Sequence, residues 1–318
     1  MNNLLFSNQI AQQSDLPAER LGETIQAFQR DKQTGMLKID SVNNVSQILF
    51  FVRGQIVTVY KLQECLERVN PDRWSLAGNI FTPILSIKIL ALTPQDVRVI
   101  KILIEQNGEA KSQLSCRLDL EKIFAEWMEQ TLPALIHVRW KKAEVLVLFP
   151  GRGDHPCFTL WMTEEQIKHS AGNLSEICSF PEPYDVLSNY SSAGLSMAWS
   201  EYLLFSSFSS LVVSLFVKFE KLMGRMLLNQ IIREINFKAT AHDWNLNLTA
   251  NSVNDQTIFS SPEASSEVYT RLLEVIFVHF DATLGHSMLK MLVGDIVGSF
   301  PATTQKVLKT YLPITNMD

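Results

Sequence analysis

Between Tyr202 and Val217 the chain runs for sixteen residues, YLLFSSFSSLVVSLFV, without a charge. Such a stretch has to be covered, either by lipid or by protein. A spanning helix needs about 20 predominantly apolar residues; this run is shorter, holds five serines and is bounded by Glu201 and Lys218. At helical spacing Leu204, Phe208, Leu211, Leu215 and Phe219 share one face, with Ser206, Ser210 and Ser214 elsewhere. The pattern predicts a core or partner-facing helix inside a helical domain over residues 196–318. One long helix is expected from about Ser196 to Ile235, broken near Gly224. Another starts at Ser261-Pro262-Glu263, is interrupted by Gly285 and ends at Pro301. Between them Trp244, Leu246 and Leu248 alternate like a strand.

The first 178 residues read differently. Asp15 and Pro17 can open a helix that carries Leu21, Ile25 and Phe28. Three strands follow, Met36–Asp40, Ile48–Val52 and Ile56–Tyr60, with a tight turn at Arg53-Gly54, and a short helix is expected around Gln63 to Val69. This is the unit 1–90. A second unit, 91–178, begins at Thr93-Pro94, a capped helix start, with further helices expected over Ala110–Arg117 and about Asp119–Gln130. Strands over Ala134–Trp140 and Glu144–Phe149 come next, and Thr163 with Gln166 form a capping box for another short helix. The Ser- and Pro-rich segment 179–195 reads as a linker. The fold class expected is α+β: an N-terminal helix plus antiparallel meander, a winged-helix-like middle unit, and a mainly helical C-terminal domain.

Charge and cysteine use narrow the function classes. Lys and Arg number 28 against 33 Asp and Glu, a net charge of −5, which argues against a chain that coats nucleic acid. Cys65, Cys116, Cys157 and Cys178 form no CxxC pair and fit neither a zinc knuckle nor a disulfide framework. A cytoplasmic protein is expected, with no signal peptide, metal or cofactor. His279 and His286 are separated by Gly285 and lack a completing acid. Gly151-Arg152-Gly153-Asp154 lacks the phosphate-cradle pattern and reads as a hairpin turn.

The helix before Thr34-Gly35-Met36-Leu37-Lys38-Ile39, and Leu49-Phe50-Phe51 running into Arg53-Gly54-Gln55-Ile56-Val57, resemble the PATAN domain over about residues 15–65. That module stands at the N-terminus of the PatA class of bacterial regulators. The resemblance implies a non-catalytic signalling or adaptor module and brings no catalytic residues. The order of helices and hairpin over 92–150 is similar to the winged-helix superfamily. A competing reading is an internal duplication at an offset of 99 residues, which aligns Leu21, Ile25 and Phe28 with Leu120, Phe124 and Trp127, and Arg53-Gly54 with Arg152-Gly153.

The function expected is therefore a bacterial regulatory adaptor that contacts protein partners through Arg53 and Gln55 on the first hairpin and Phe208 and Phe216 on the long helix. Peripheral membrane contact, through Lys218, Lys221, Arg225 and Arg233, and homo-oligomerisation are further options. One alternative is a DNA-binding regulator that sets Arg139, Lys141 and Lys142 on backbone phosphates, although Glu121, Glu126 and Glu129 on the neighbouring helix oppose a polyanion. A second is an enzyme whose site gathers dispersed residues such as His242, Asp243 and Cys157.

Overall fold

The computed structural model describes residues 21–41, 45–63, 65–74, 84–105, 113–114, 119–130, 132–149, 158–163, 167–171, 174–180, 184–191, 196–312 and 314. The helix start at Asp15-Pro17, Cys116, Cys157 and the 151–154 turn lie outside them. The class is α+β, in two compact units, Met1–Ser196 and Met197–Asp318.

In the first unit α1 (Leu21–Arg30) precedes β1 (Gly35–Ser41), β2 (Ser46–Val52), β3 (Gln55–Leu62), β4 (Leu66–Val69) and β5 (Ile84–Ala91). These strands form one antiparallel sheet ordered β4-β3-β2-β1-β5. After α2 (Pro94–Glu105) come β6 (Gln113–Leu114), α3 (Leu120–Met128), β7 (Ala134–Arg139), β8 (Ala143–Phe149), β9 (Phe158–Thr163), β10 (Ile167–Ala171), α4 (Ser175–Cys178) and β11 (Val186–Ser191). The second sheet is ordered β10-β9-β8-β7-β11-β6.

Apart from the added β6, the two sheets repeat one wiring. Gly35 stands opposite Phe51 and Ala91, and Ala134, 99 residues later, stands opposite Phe149 and Ser191. The helix before each sheet covers its outer face. Leu21, Ile25 and Phe28 pack on Leu37, Leu49 and Phe51, while Phe124 packs on Ile136, Val147 and Phe149. A phenylalanine pair marks each contact, Phe28–Phe51 at 4.9 Å and Phe124–Phe149 at 5.8 Å between ring centres. The duplication reading thus describes the topology better than the winged-helix one.

The inner faces meet α2. Thr93 and Asp96 cap this helix reciprocally: Thr93 N–H donates to Asp96 Oδ2 at 2.7 Å and Asp96 N–H to Thr93 Oγ1 at 3.2 Å. The helix packs on both β1 and β7, and Asp96, Val97 and all of Val99–Ile104 are buried. A helix buried around its whole circumference belongs to an interior, and here it is the layer between two sheets.

Four expectations are corrected. Residues 113–114, inside the expected second helix of a winged helix, are strand β6, because they pair with the otherwise open edge of β11. Residues 66–69 are strand β4, since Leu66 turns back onto Leu62 and completes the edge of β3. Thr163 ends strand β9, and β10 pairs back along it from Ile167 to Ala171, where a helix was expected; Gln166 lies outside the described residues. The linker segment 179–195 contains β11, an internal strand between β7 and β6.

In the second unit α5 (Met197–Met223), α6 (Arg225–Ala241), the hairpin β12 (Leu246–Leu248) and β13 (Val253–Asp255), α7 (Pro262–Leu284), α8 (His286–Ser299) and α9 (Ala302–Tyr311) form a helical bundle. Among the described residues α5 is the helix long and apolar enough to cross a membrane by length and composition. In the bundle it packs against α6, α7, α8 and α9. Phe208 stacks on Tyr269 at 4.3 Å, and Phe219 stacks on Phe280 at 4.0 Å.

This unit also repeats itself, at an offset of 61 residues. Gly224 (φ 87°) joins α5 to α6 and Gly285 (φ 80°) joins α7 to α8, a backbone conformation that favours glycine. Buried Leu211, Leu215, Phe219, Leu228, Ile231 and Ile235 correspond to buried Leu272, Ile276, Phe280, Leu289, Leu292 and Ile296. The packing is reciprocal as well: α5 lies on α6 and α8, and α7 lies on α8 and α6. That is the pattern of a pseudo-two-fold pair of helical hairpins.

The phenylalanines proposed for partner contact, Phe208 and Phe216, are fully buried, because the face they share with Leu211 and Leu215 is the one that closes the bundle. Truncating Phe208 to Ala is expected to destabilise the helical unit by about 3–5 kcal/mol. Truncating Phe237, which is 76% exposed on α6, is expected to change stability by less than about 0.5 kcal/mol. Chemical denaturation of the two variants checks the contrast.

Candidate functional site

The first hairpin presents Arg53 and Gln55 to solvent. Val52 pairs with Gln55 across a two-residue turn, Arg53-Gly54, with φ of 50° and 79°. Positive φ at both positions is the type I′ pattern, in which asparagine, aspartate and glycine are preferred. The turn is pinned to the end of α1. Gly54 N–H donates to Gln33 O at 2.8 Å and Arg53 N–H to Thr34 Oγ1 at 3.1 Å. A Cβ on Gly54 would lie 2.5 Å from Gln29 O, so this close approach excludes any side chain. Beside the turn Arg30 donates to Asp31 at 2.8 Å; this contact holds the Asp31 carboxyl below its ordinary pKa and the guanidinium above its own. The result is a rigid, polar promontory.

The alternative basic site is divided. Lys141 and Lys142 are exposed in the β7–β8 turn, whereas Arg139 is half-buried on β7 opposite Glu144. Glu121, Glu126 and Glu129 are exposed on or at the end of α3. The dispersed enzyme set is represented by its exposed half, His242 and Asp243, at the C-terminal end of α6, where the His242 ring stacks on Trp244 at 4.9 Å. Cys157 lies outside the described residues.

Sequence patterning missed the polar groups between the sheets. His137 on β7 and Glu144 on β8 are 1% and 0% exposed, with Nε2 3.2 Å from Oε2. His137 Nδ1 and Glu144 Oε1 are buried without a hydrogen-bond partner. In the first sheet Lys38 occupies the position equivalent to His137. Its Nζ lies 3.1 Å from Asp40 Oδ1, which also accepts from Ser46 Oγ at 2.6 Å. Lys88, opposite Lys38, is matched by Ser188, opposite His137. At the end of α2 Glu105 Oε1 accepts from Tyr60 Oη at 2.6 Å and from Arg68 Nη1 at 3.1 Å, which ties the first sheet to the helix. Burial pushes the Tyr190 hydroxyl up from its ordinary pKa, with the Ser188 hydroxyl acting the other way.

A His–Glu pair resembles a general-base arrangement, but a base has to reach the proton it removes. This pair lies on the inner face of a sheet covered by α2. Its chemistry is that of a buried ion or hydrogen-bonded pair, and its removal tests structure. Two further histidines sit in separate pairs, His279 with Glu234 at 3.6 Å and His286 with Asp281 at 3.7 Å. Among the described residues no group of three His, Cys, Asp or Glu side chains could hold a metal ion. The half-buried Cys178 thiol is pushed up by burial and then by Glu121 and Asp119, which keeps it protonated and a poor nucleophile.

No known protein family, curated protein or solved structure matches the chain.

Replacing His137 by Leu leaves Glu144 buried and unpaired, and is expected to lower stability by about 3–5 kcal/mol. Adding Glu144→Leu is expected to recover more than half of that loss. Urea denaturation of the wild type, both single variants and the double variant measures the coupling.

Proposed function

We propose that the chain is a non-catalytic bacterial regulatory adaptor that works in the cytoplasm through protein–protein contact, with the Arg53 turn as part of its contact surface. The observation that carries this reading is the residue choice at that turn. Arg53 adopts φ 50°, a conformation in which a long side chain has no backbone advantage and asparagine is favoured. An exposed arginine held at positive φ is a backbone outlier of the kind that clusters at functional surfaces. The resemblance of the α1–β3 segment to the PATAN domain of PatA-class regulators agrees with it. That module is a signalling or adaptor element, and the matching residues end in this hairpin.

The test separates contact from stability. Arg53→Asn suits the turn, so the variant is expected to denature at the same midpoint as the wild type or slightly above it. It is also expected to lose the protein partner that the tagged full-length chain retains when purified from its native cells. Retention of every wild-type partner by both Arg53→Asn and Arg53→Glu would remove the hairpin from the contact surface.

A further inference from the structure

The repeat within the helical unit supplies an internal comparison. The two glycine corners, α5–Gly224–α6 and α7–Gly285–α8, have matching backbone. Each glycine N–H donates four residues back, Gly224 to Glu220 O and Gly285 to Asp281 O, both at 2.8 Å. Each corner also has a basic or imidazole group reaching an acid five residues earlier, Arg225 to Glu220 at 3.9 Å and His286 to Asp281 at 3.7 Å. Folding therefore asks the same of both.

Their surfaces nevertheless differ. All of residues 221–226 are exposed, and they include Leu222 at 47%, Met223 at 39% and Met226 at 90%. Lys221 and Arg225 stand among these apolar side chains, with Lys218 one turn back along α5. The equivalent positions in the other corner are Thr283, Leu284 and Ser287 for the apolar three, and Ala282 and His286 for Lys221 and Arg225. At these matched positions, 282–287, the second corner folds with no lysine or arginine and with Leu284 half-buried, while exposed Val278, Lys290 and Met291 lie a turn or more from Gly285. The apolar–cationic set at the first corner is thus surplus to the fold. Arg225 also opens α6, where the positive end of the helix dipole favours an acid, and α6 has no side-chain cap there.

We infer that the α5–α6 corner is a peripheral docking point for an anionic lipid bilayer. Leu222, Met223 and Met226 enter the headgroup–acyl boundary while Lys221 and Arg225 remain at phosphate level, the division of labour of interfacial segments. Cations near an anionic leaflet add attraction that weakens with salt. Area favours lipid over protein as the occupant. Three side chains on a projecting corner offer roughly 300 Å², against about 800 Å² per partner in a stable protein interface.

The test is co-sedimentation of the full-length chain with phosphatidylcholine vesicles, with and without phosphatidylserine, at low and high salt. The wild type is expected to pellet with the phosphatidylserine vesicles at low salt, and to be released by high salt or by omission of the anionic lipid. Met226→Asp is expected to cut the bound fraction about fivefold or more. Ser287→Asp, the matching change at the other corner, and Arg53→Asn are expected to leave binding unchanged. Both corner positions are exposed, and equal melting temperatures confirm that the variants fold. Three results would each overturn the inference: a wild type that stays in the supernatant with anionic vesicles at low salt, a Met226→Asp variant that binds like the wild type, or equal losses from Met226→Asp and Ser287→Asp. Light scattering without lipid identifies the competing occupant. A wild-type dimer that Met226→Asp converts to monomer, with no vesicle binding by either, would assign the corner to a second copy of the chain.

Discussion

The first unit depends on α2 being covered from both sides. A helix buried around its circumference faces water on no side, and an antiparallel sheet normally leaves one face solvated. Placing one such helix between two sheets removes both problems, because each sheet loses its wet face. The consequence falls on the alternate residues of the strands. Lys38, Lys88 and His137 would be solvated on a one-sided sheet, but here they are buried and need partners inside the layer. Lys38 with Asp40, and His137 with Glu144, follow from that requirement. Glu105, an acid at the unfavourable end of α2, is held by Tyr60 and Arg68 for the same reason.

This layer is also where sequence reasoning stopped. Leu37-Lys38-Ile39 and Ile136-His137-Val138 read as alternation with one face in and one face out, and that pattern placed the strands correctly. It could not reveal that the outward face was roofed, because the roof is formed by a helix more than fifty residues from β1 and by a second sheet. The Arg53-Gly54 turn was legible from local chemistry alone. So were the Ser261 cap and the Gly224 and Gly285 breaks, since each is decided within a few residues. Strands β4, β6 and β11 were missed for the opposite reason. Each is short or polar, and each becomes a strand because a neighbouring edge needs hydrogen-bond partners.

Both units are built by repetition, and the repeats separate what folding demands from what it does not. Where the copies agree, as at Phe51 and Phe149 or Phe219 and Phe280, the residues fill equivalent core positions. Buried positions that differ, such as Lys38 against His137, hold a polar group in both copies. Differences at exposed positions with the same backbone, such as Met226 against Ser287, carry information of another kind. The common backbone accounts for neither residue, so the choice reflects something outside the fold.

The position of β11 in the chain has a consequence for synthesis. It lies between β7 and β6 in the second sheet, yet, at residues 186–191, it is the last strand of that unit to leave the ribosome. Until they emerge, the edge of β7 is an open row of amides and carbonyls beside a hydrophobic face, the kind of edge that recruits neighbouring chains. Most of the unit's long-range pairing with β7 and β6 waits on six residues, which makes its topology slow to close. Unpaired strand edges of this kind are what make partly folded chains prone to aggregate. A terminal truncation that removes β11 would leave the finished molecule in that same unprotected state.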